Sequence, residues 1–300
     1  MKKIMWFVFL CTCALNIHAK PLIVTGSDQH RGKEIGPVAA FTGLSVSGQT
    51  EVDFQQIEDE NYTVSLFGPN NLVDLVEVKS EGGALFIHYK EPVVVVGDHH
   101  LRVLVLAPSL AHIEVKEQGE VQVVGSLNVT ELTIWADGKT EVEIDALQAN
   151  TVKIHTQGDA EVDVGELTCQ FLHIETADKS SVDAQRLSCE QVHALAHNRS
   201  DISISGLTGN SVVAETKQAA EIELKGKTDS ASLTARDRSE VKASTLQANN
   251  ADVMAGNSAH IGVRVEGTLN AQTEKRGVVE YRGWPREINR SGKGLVRKNS

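Results

Sequence analysis

Eight apolar residues fall at an almost constant interval along the chain: Val121, Val142, Val162, Val182, Ile202, Ile222, Val241 and Ile261, in steps of 19 to 21 residues. A second apolar column runs eight residues ahead of the first, at Ile113, Ile134, Ile154, Ile174, Ala194, Ala214, Leu233 and Val253. Two residues before the first column comes a small side chain: Gly119, Thr140, Ala160, Ser180, Ser200, Ala220, Ser239 and Ala259. Four before it stand Gly138, Gly158, Asp178, Asn198, Gln218, Asp237 and Asn257. A leucine column follows at Leu147, Leu167, Leu187, Leu207 and Leu246, broken at Lys227.

Inside each unit apolar and polar residues alternate, and a period of two is the mark of a strand with one buried face. A self-similar unit of about 20 residues is the mark of a solenoid, and it leaves no room for a crossover helix. Gly, Asn and Asp are the residues that best tolerate a turn backbone, so they mark a corner, and the small residue behind them points inward. The leucine and asparagine signature of leucine-rich repeats is missing, and a propeller blade is about twice as long. The predicted fold is all-β: a single-stranded parallel β-helix with ~20-residue rungs, right-handed by the usual crossover preference.

The regular columns bound the organisation. Residues 1–19 read as a signal peptide, with Lys2 and Lys3, an apolar run, and Ile17-His18-Ala19 as the cleavage site. Residues 20–40 read as an N-terminal arm or linker. The β-helix is expected over 41–283, with irregular opening rungs at 41–112 and regular ones at 113–265. Residues 284–300 read as a C-terminal cap and basic tail.

Charge narrows the partners. With 29 Lys and Arg against 40 Asp and Glu the chain carries −11, and losing Lys2 and Lys3 with the signal takes it to −13. That balance disfavours nucleic acid and anionic membrane surfaces. No segment after the signal is apolar enough to span a bilayer.

"FTGLSVSG" at 41–48, "GGALFI" at 82–87, "LRVLVLAPSLAHIEV" at 101–115, the repeated "GDAEV" phrase and the closing "YRGWP" and "SGKGLVRK" together resemble the GIN head domain family of bacterial exported proteins, over about residues 41–298. The resemblance implies a single-stranded right-handed β-helix, export and no established enzymatic activity, and it brings no catalytic residues. An autotransporter also carries a long C-terminal translocator barrel, and no length for one is expected here.

Several outward positions carry chemistry. Glu120, Glu141, Glu161, Asp201, Glu221 and Glu240 form one acidic row, and Glu143, Asp163, Asp183 and Glu223 a second. Carboxylates stacked one rung apart repel. Glu141, Glu161 and Asp163 are candidate Ca²⁺ ligands, since that ion takes several oxygens. The competing reading is a solvated face offset by Lys139, Lys179, Arg199 and Arg238. Cys169 and Cys189 stand one period apart in a column shared with Ala149, Gly209 and Ala248; a disulfide and two packed thiols are both open readings. His173 and His193 are also one period apart and face outward. They can pair on a transition metal, but lack a fixed third ligand. Glu141 and Glu161 have the spacing of paired glycosidase carboxylates, yet a spacing that recurs on every rung singles out no site.

These readings predict an exported, non-enzymatic protein of the cell envelope, an adhesin-like binding or structural module working through its long strand faces. Its expected partner is a protein or glycan at the envelope, with no cofactor other than Ca²⁺. The alternatives are a self-associating envelope scaffold and, behind it, a polysaccharide-active β-helix enzyme.

Overall fold

A computed structural model describes residues 21–97 and 101–299. The expected signal peptide, residues 1–19, lies outside the described residues. The chain winds into a β-solenoid. In its regular part each rung is one extended run: Glu161–Thr176, Ser181–Ala196, Asp201–Lys217, Glu221–Arg236 and Glu240–Ala255. Each run pairs in parallel with the next. Ile154 lies opposite Ile174, and Ile174 opposite Ala194. All three are buried, as is the whole Val121-to-Ile261 column. The pairing between adjacent rungs skips Gly165 and Gln170, so a rung presents three short faces, 161–164, 166–169 and 171–176, before its closing turn.

The closing turn shows how composition follows geometry. Asp178, Asn198, Gln218, Asp237 and Asn257 all adopt positive φ, between 53° and 67°. This left-handed backbone costs least for Gly, Asn and Asp. Asn198 donates to Asp178 at 2.9 Å and Asn257 to Asp237 at 2.8 Å, so the turns also bond to one another along the stack. At Gly158, φ is +78° and an added Cβ would stand 3.0 Å from Gly138 N and O.

Behind each turn the small inward residue meets a residue of the preceding rung, and their chemistry is matched. Thr156 bonds Ser180, Thr176 bonds Ser200 and Thr216 pairs with Ser239, each at 2.8 Å. These residues are buried. The equivalent positions of other rungs hold buried alanines instead: Ala136 and Ala160, Ala196 and Ala220, and Ala235 and Ala259. A hydroxyl sits in the core corner where it has a partner, and a methyl replaces it where it has none. A lone buried hydroxyl would forfeit its solvation without return. Thr140 departs from this pattern: the position equivalent to its partner holds Val115, and its Oγ1 is buried without a partner among the described residues.

The break in the leucine column has a local cause. Lys227 does not occupy the leucine position. The register slips at that corner, so Gly226 lies opposite both Leu207 and Leu246 while Lys227 pairs with Thr208 and Gln247. Lys227 stays exposed. Gly226 has φ +137°, and a Cβ there would stand 2.1 Å from Leu207 O.

The opening end departs from chain order. Arg102–Ala107 pairs with Glu51–Gln56, which pairs with Glu120–Asn128. Ala84–Tyr89 likewise pairs with Gly43–Ser47, which pairs with His112–Glu117. The outermost rung is therefore built from residues later in sequence than the rung beneath it. Antiparallel strands then flank it: Thr63–Pro69 on Arg102–Ala107, His30–Ile35 on Thr63–Pro69, and Val76–Glu81 on Ala84–Tyr89. Residues expected as an arm or linker thus hold Leu22–Thr25, parallel to Val93–Val96, and His30–Ile35 within the sheet. At the other end Glu287–Gly292 stacks on Thr268–Thr273, and Leu295–Lys298 on Val278–Arg282. The ladder therefore continues beyond residue 283 through the segment expected as cap and tail.

The corner pairs give a two-sided test. Thr176→Val removes one partner of a buried hydrogen bond and should cost about 1–3 kcal/mol. Thr140→Val deletes a buried hydroxyl that has no partner among the described residues and should be neutral or stabilising by up to about 1 kcal/mol. Urea midpoints of the two variants, measured side by side, check both signs.

Candidate binding surfaces

Outward side chains one rung apart lie about 4.8 Å from one another, the ordinary spacing of paired strands. Every surface feature therefore takes the form of a row. Three rows carry chemistry.

The first is the acidic face. Glu141 lies opposite Glu161, and Glu143, Asp163 and Asp183 follow each other in the adjacent row. Burial first, and then the Glu161, Asp183, Glu141 and Glu143 charges, push the Asp163 carboxyl up to about 6. Burial, followed by Glu161 and Glu143, also raises Glu141. The predicted Ca²⁺ ligands Glu141, Glu161 and Asp163 thus share one face on adjacent rungs. Among the described residues their carboxylate oxygens do not converge within 4.8 Å as a group of three. Lys179, expected as an offset, pairs instead with Asp159 in the turn at 3.4 Å. Further down the same face relief is direct: Lys242 pairs with Glu221, and His260 with Glu240 at 3.0 Å.

The second feature is a groove along the corner between the second and third faces. Its floor is the column Ala149, Cys169, Cys189 and Gly209. Its walls are two polar rows: Gln148, Thr168, Ser188 and Thr208 on one side, Asn150, Gln170, Glu190 and Asn210 on the other. The groove exists because four successive rungs place a small side chain in one column. The two cysteines lie opposite each other in register, buried and as free thiols. The Cys189 sulfur beside it, together with burial, pushes the Cys169 thiol up. Cys189 Sγ also donates to the Gln191 carbonyl at 3.3 Å.

The third is a ring cluster on the third face. Trp135, half exposed, stacks on His155 with centroids 4.2 Å apart and planes 15° apart. His155 is in ring contact with His173 at 5.7 Å, and His173 meets His193 edge-on at 5.1 Å. Glu175 lies opposite His155 in register, 3.5 Å from its Nδ1. Burial lowers the pKa of both His155 and His173; the neighbouring His193 lowers His173 further. The sequence pair His173 and His193 is brought together as expected. Trp135, His155 and Glu175 form one column at the 20-residue step that the sequence does not mark. Their residue types differ, so no column of like residues marked them.

The acidic face yields a pH prediction. The Asp163 pKa in the fold lies above the value of about 3.9 in an unfolded chain. Between the two values the native state holds more protons, so this contribution is complete below about pH 4 and is lost as pH rises through about 6. Asp163→Asn should therefore raise stability at pH 8, by up to about 1 kcal/mol once solvent screening is allowed for. The gain should disappear near pH 4 and shrink in high salt. Urea midpoints across pH check it.

No curated protein matches the sequence. Among solved structures, a "putative adhesin" from Parabacteroides merdae ATCC 43184 aligns with TM-score 0.54 at 14% identity, covering 93% of this chain and 99% of that one. A "putative adhesin" from Parabacteroides distasonis ATCC 8503 aligns with TM-score 0.53 at 19% identity, covering 92% and 100%. A "putative lipid binding protein" from the same strain aligns with TM-score 0.52 at 17% identity, covering 93% and 100%. These likenesses are of fold. Among the described residues no helix is long and apolar enough to cross a membrane. The family model described as "Putative auto-transporter adhesin, head GIN domain" matches residues 40–205 and 193–285. With its repeated rungs and well over half its length so matched, the chain belongs to the GIN head domain family.

Proposed function

We propose that this protein is an exported, non-enzymatic binding module of the cell envelope, and that it holds a linear, hydroxyl-rich ligand, a glycan chain, along the corner groove. The observation that carries the reading is the groove itself: two parallel rows of amides, hydroxyls and one carboxylate over a floor of small residues, repeated over successive rungs. Amide and hydroxyl side chains both donate and accept, which suits sugar hydroxyls better than an acyl chain. A long row of modest contacts gives affinity by addition, without one deep cavity. Fold alone does not settle function, so the reading rests on the groove rather than on the family's description. Export follows from the reading of residues 1–19. In an oxidising compartment Cys169 and Cys189, opposed in register, would close into a bridge beneath the groove.

The enzymatic alternative lacks a comparable carrier. Glu141 and Glu161 stand on the open acidic face and line none of the groove. Self-association has one observation in its favour: Glu287–Gly292 and Leu295–Lys298 each pair on one side only among the described residues, which leaves parallel edges free.

The test is a glycan array probed with the purified protein, followed by titration of the best oligosaccharide. Asn150→Ala combined with Asn210→Ala should weaken that ligand at least about tenfold, the loss of one or two hydrogen bonds, with the melting point unchanged. Unchanged affinity in the double variant would sink the groove assignment. Sedimentation over a range of concentrations separates the scaffold reading, which requires growing filaments.

A further inference from the structure

We propose that His155, His173 and Glu175 form a binding site for one divalent transition-metal ion of the zinc, nickel and copper group. Two imidazoles and one carboxylate are a donor set that these ions prefer and that Ca²⁺ does not, since Ca²⁺ takes oxygen ligands. One ligand atom from each of the three residues lies within 4.8 Å of the other two, and among the described residues no other trio of His, Cys, Asp or Glu does so. Ligand atoms held by one ion at about 2.1 Å stand roughly 3.0–3.5 Å apart. His155 Nδ1 and Glu175 Oε2 are already at 3.5 Å. The remaining approach, at most about 1–2 Å, is a rotamer adjustment on partly exposed side chains.

The backbone fixes the arrangement. His155 and Glu175 face each other across the parallel pair, and His173 sits two residues before Glu175 on the same strand, pointing to the same side. The three donors thus come from adjacent rungs of a rigid ladder. One neighbour holds an imidazole in place. Trp135 stacks flat on His155 and limits its rotation, whereas His193 touches His173 only edge-on and leaves its ring free to turn. Lys153 lies opposite His173 in register, where a cation would oppose the ion. It is drawn away by Glu131, whose Oε1 it meets at 2.6 Å. His155 and Glu175 also line the groove beside the cluster, together with Trp135, Glu114 and Lys116. The site is independent of the corner groove and does not rest on the glycan reading.

The experiment is calorimetric titration of the tagless, metal-stripped protein with ZnCl₂, alongside the visible absorption of the Co²⁺-loaded protein. The expected result is one ion per chain, a Co²⁺ spectrum of an imidazole-containing site, and no competition from Ca²⁺. His155→Ala and His173→Ala should each weaken Zn²⁺ at least about a hundredfold, and Glu175→Gln, which keeps the side-chain shape, at least about tenfold. Trp135→Ala, which touches no ion, should cost about tenfold by freeing His155. His193→Ala should change affinity less than about threefold. Thermal melts of the metal-free variants show that each remains folded. Absence of stoichiometric binding in the parent, binding indifferent to His155→Ala and His173→Ala, or a loss with His193→Ala as large as with His155→Ala would overturn the assignment.

Discussion

Parallel pairing at a constant register is the constraint from which everything else in this molecule follows. Each rung bonds to the next with its residues directly over their counterparts, so a side chain meets the one at the same position of the next rung one strand spacing away. Inside, this stacks Ile154, Ile174 and Ala194 into a closed pile with almost no exposed surface. The core is a thin cylinder, and each rung buries its apolar residues only because its neighbours cover them. Stability is thus spread along the axis rather than concentrated at a centre.

The same register that helps the interior taxes the corners and the outside. Polar groups inside must find partners within one rung, and the matched pairs Thr156 with Ser180 and Thr176 with Ser200 meet that demand. Outside, like charges stack as readily as like apolar residues, and the crowding of Asp163 by Glu161, Asp183 and Glu141 is the result. Asn-to-Asp bonds along the turns show the opposite solution, in which alternating partners convert the stack into a hydrogen-bonded ladder. A solenoid surface is therefore organised in rows, and a binding site on it is made by choosing a column. Four small residues in one column open a groove; rings in adjacent columns build a cluster.

The ends obey a different rule. A parallel stack cannot stop without exposing strand edges, and antiparallel strands close the opening end by a return of the chain over its own first rung. That return places Ala84–Tyr89 outside Gly43–Ser47 and Arg102–Ala107 outside Glu51–Gln56. No periodic column reports it, because the strands involved are short, separated by uneven excursions and compatible with either order.

What the sequence determined by itself was the rung. The interval between Val121, Val142 and Val162, the alternation around them and the Gly, Asn or Asp at each corner fix the period, the inward set and the turn, since alternation in a strand reports burial directly. It also placed Cys169 over Cys189 and His173 over His193, because like residues in one column announce themselves. Only the tertiary structure decided where unlike residues meet. Trp135, His155 and Glu175 differ in type, and Gly226 rather than Lys227 faces Leu207 after a slip of one residue. Contacts of that kind depend on bulges, side-chain rotamers and neighbours across two columns, and these are set by packing in space, which a period along the chain does not encode.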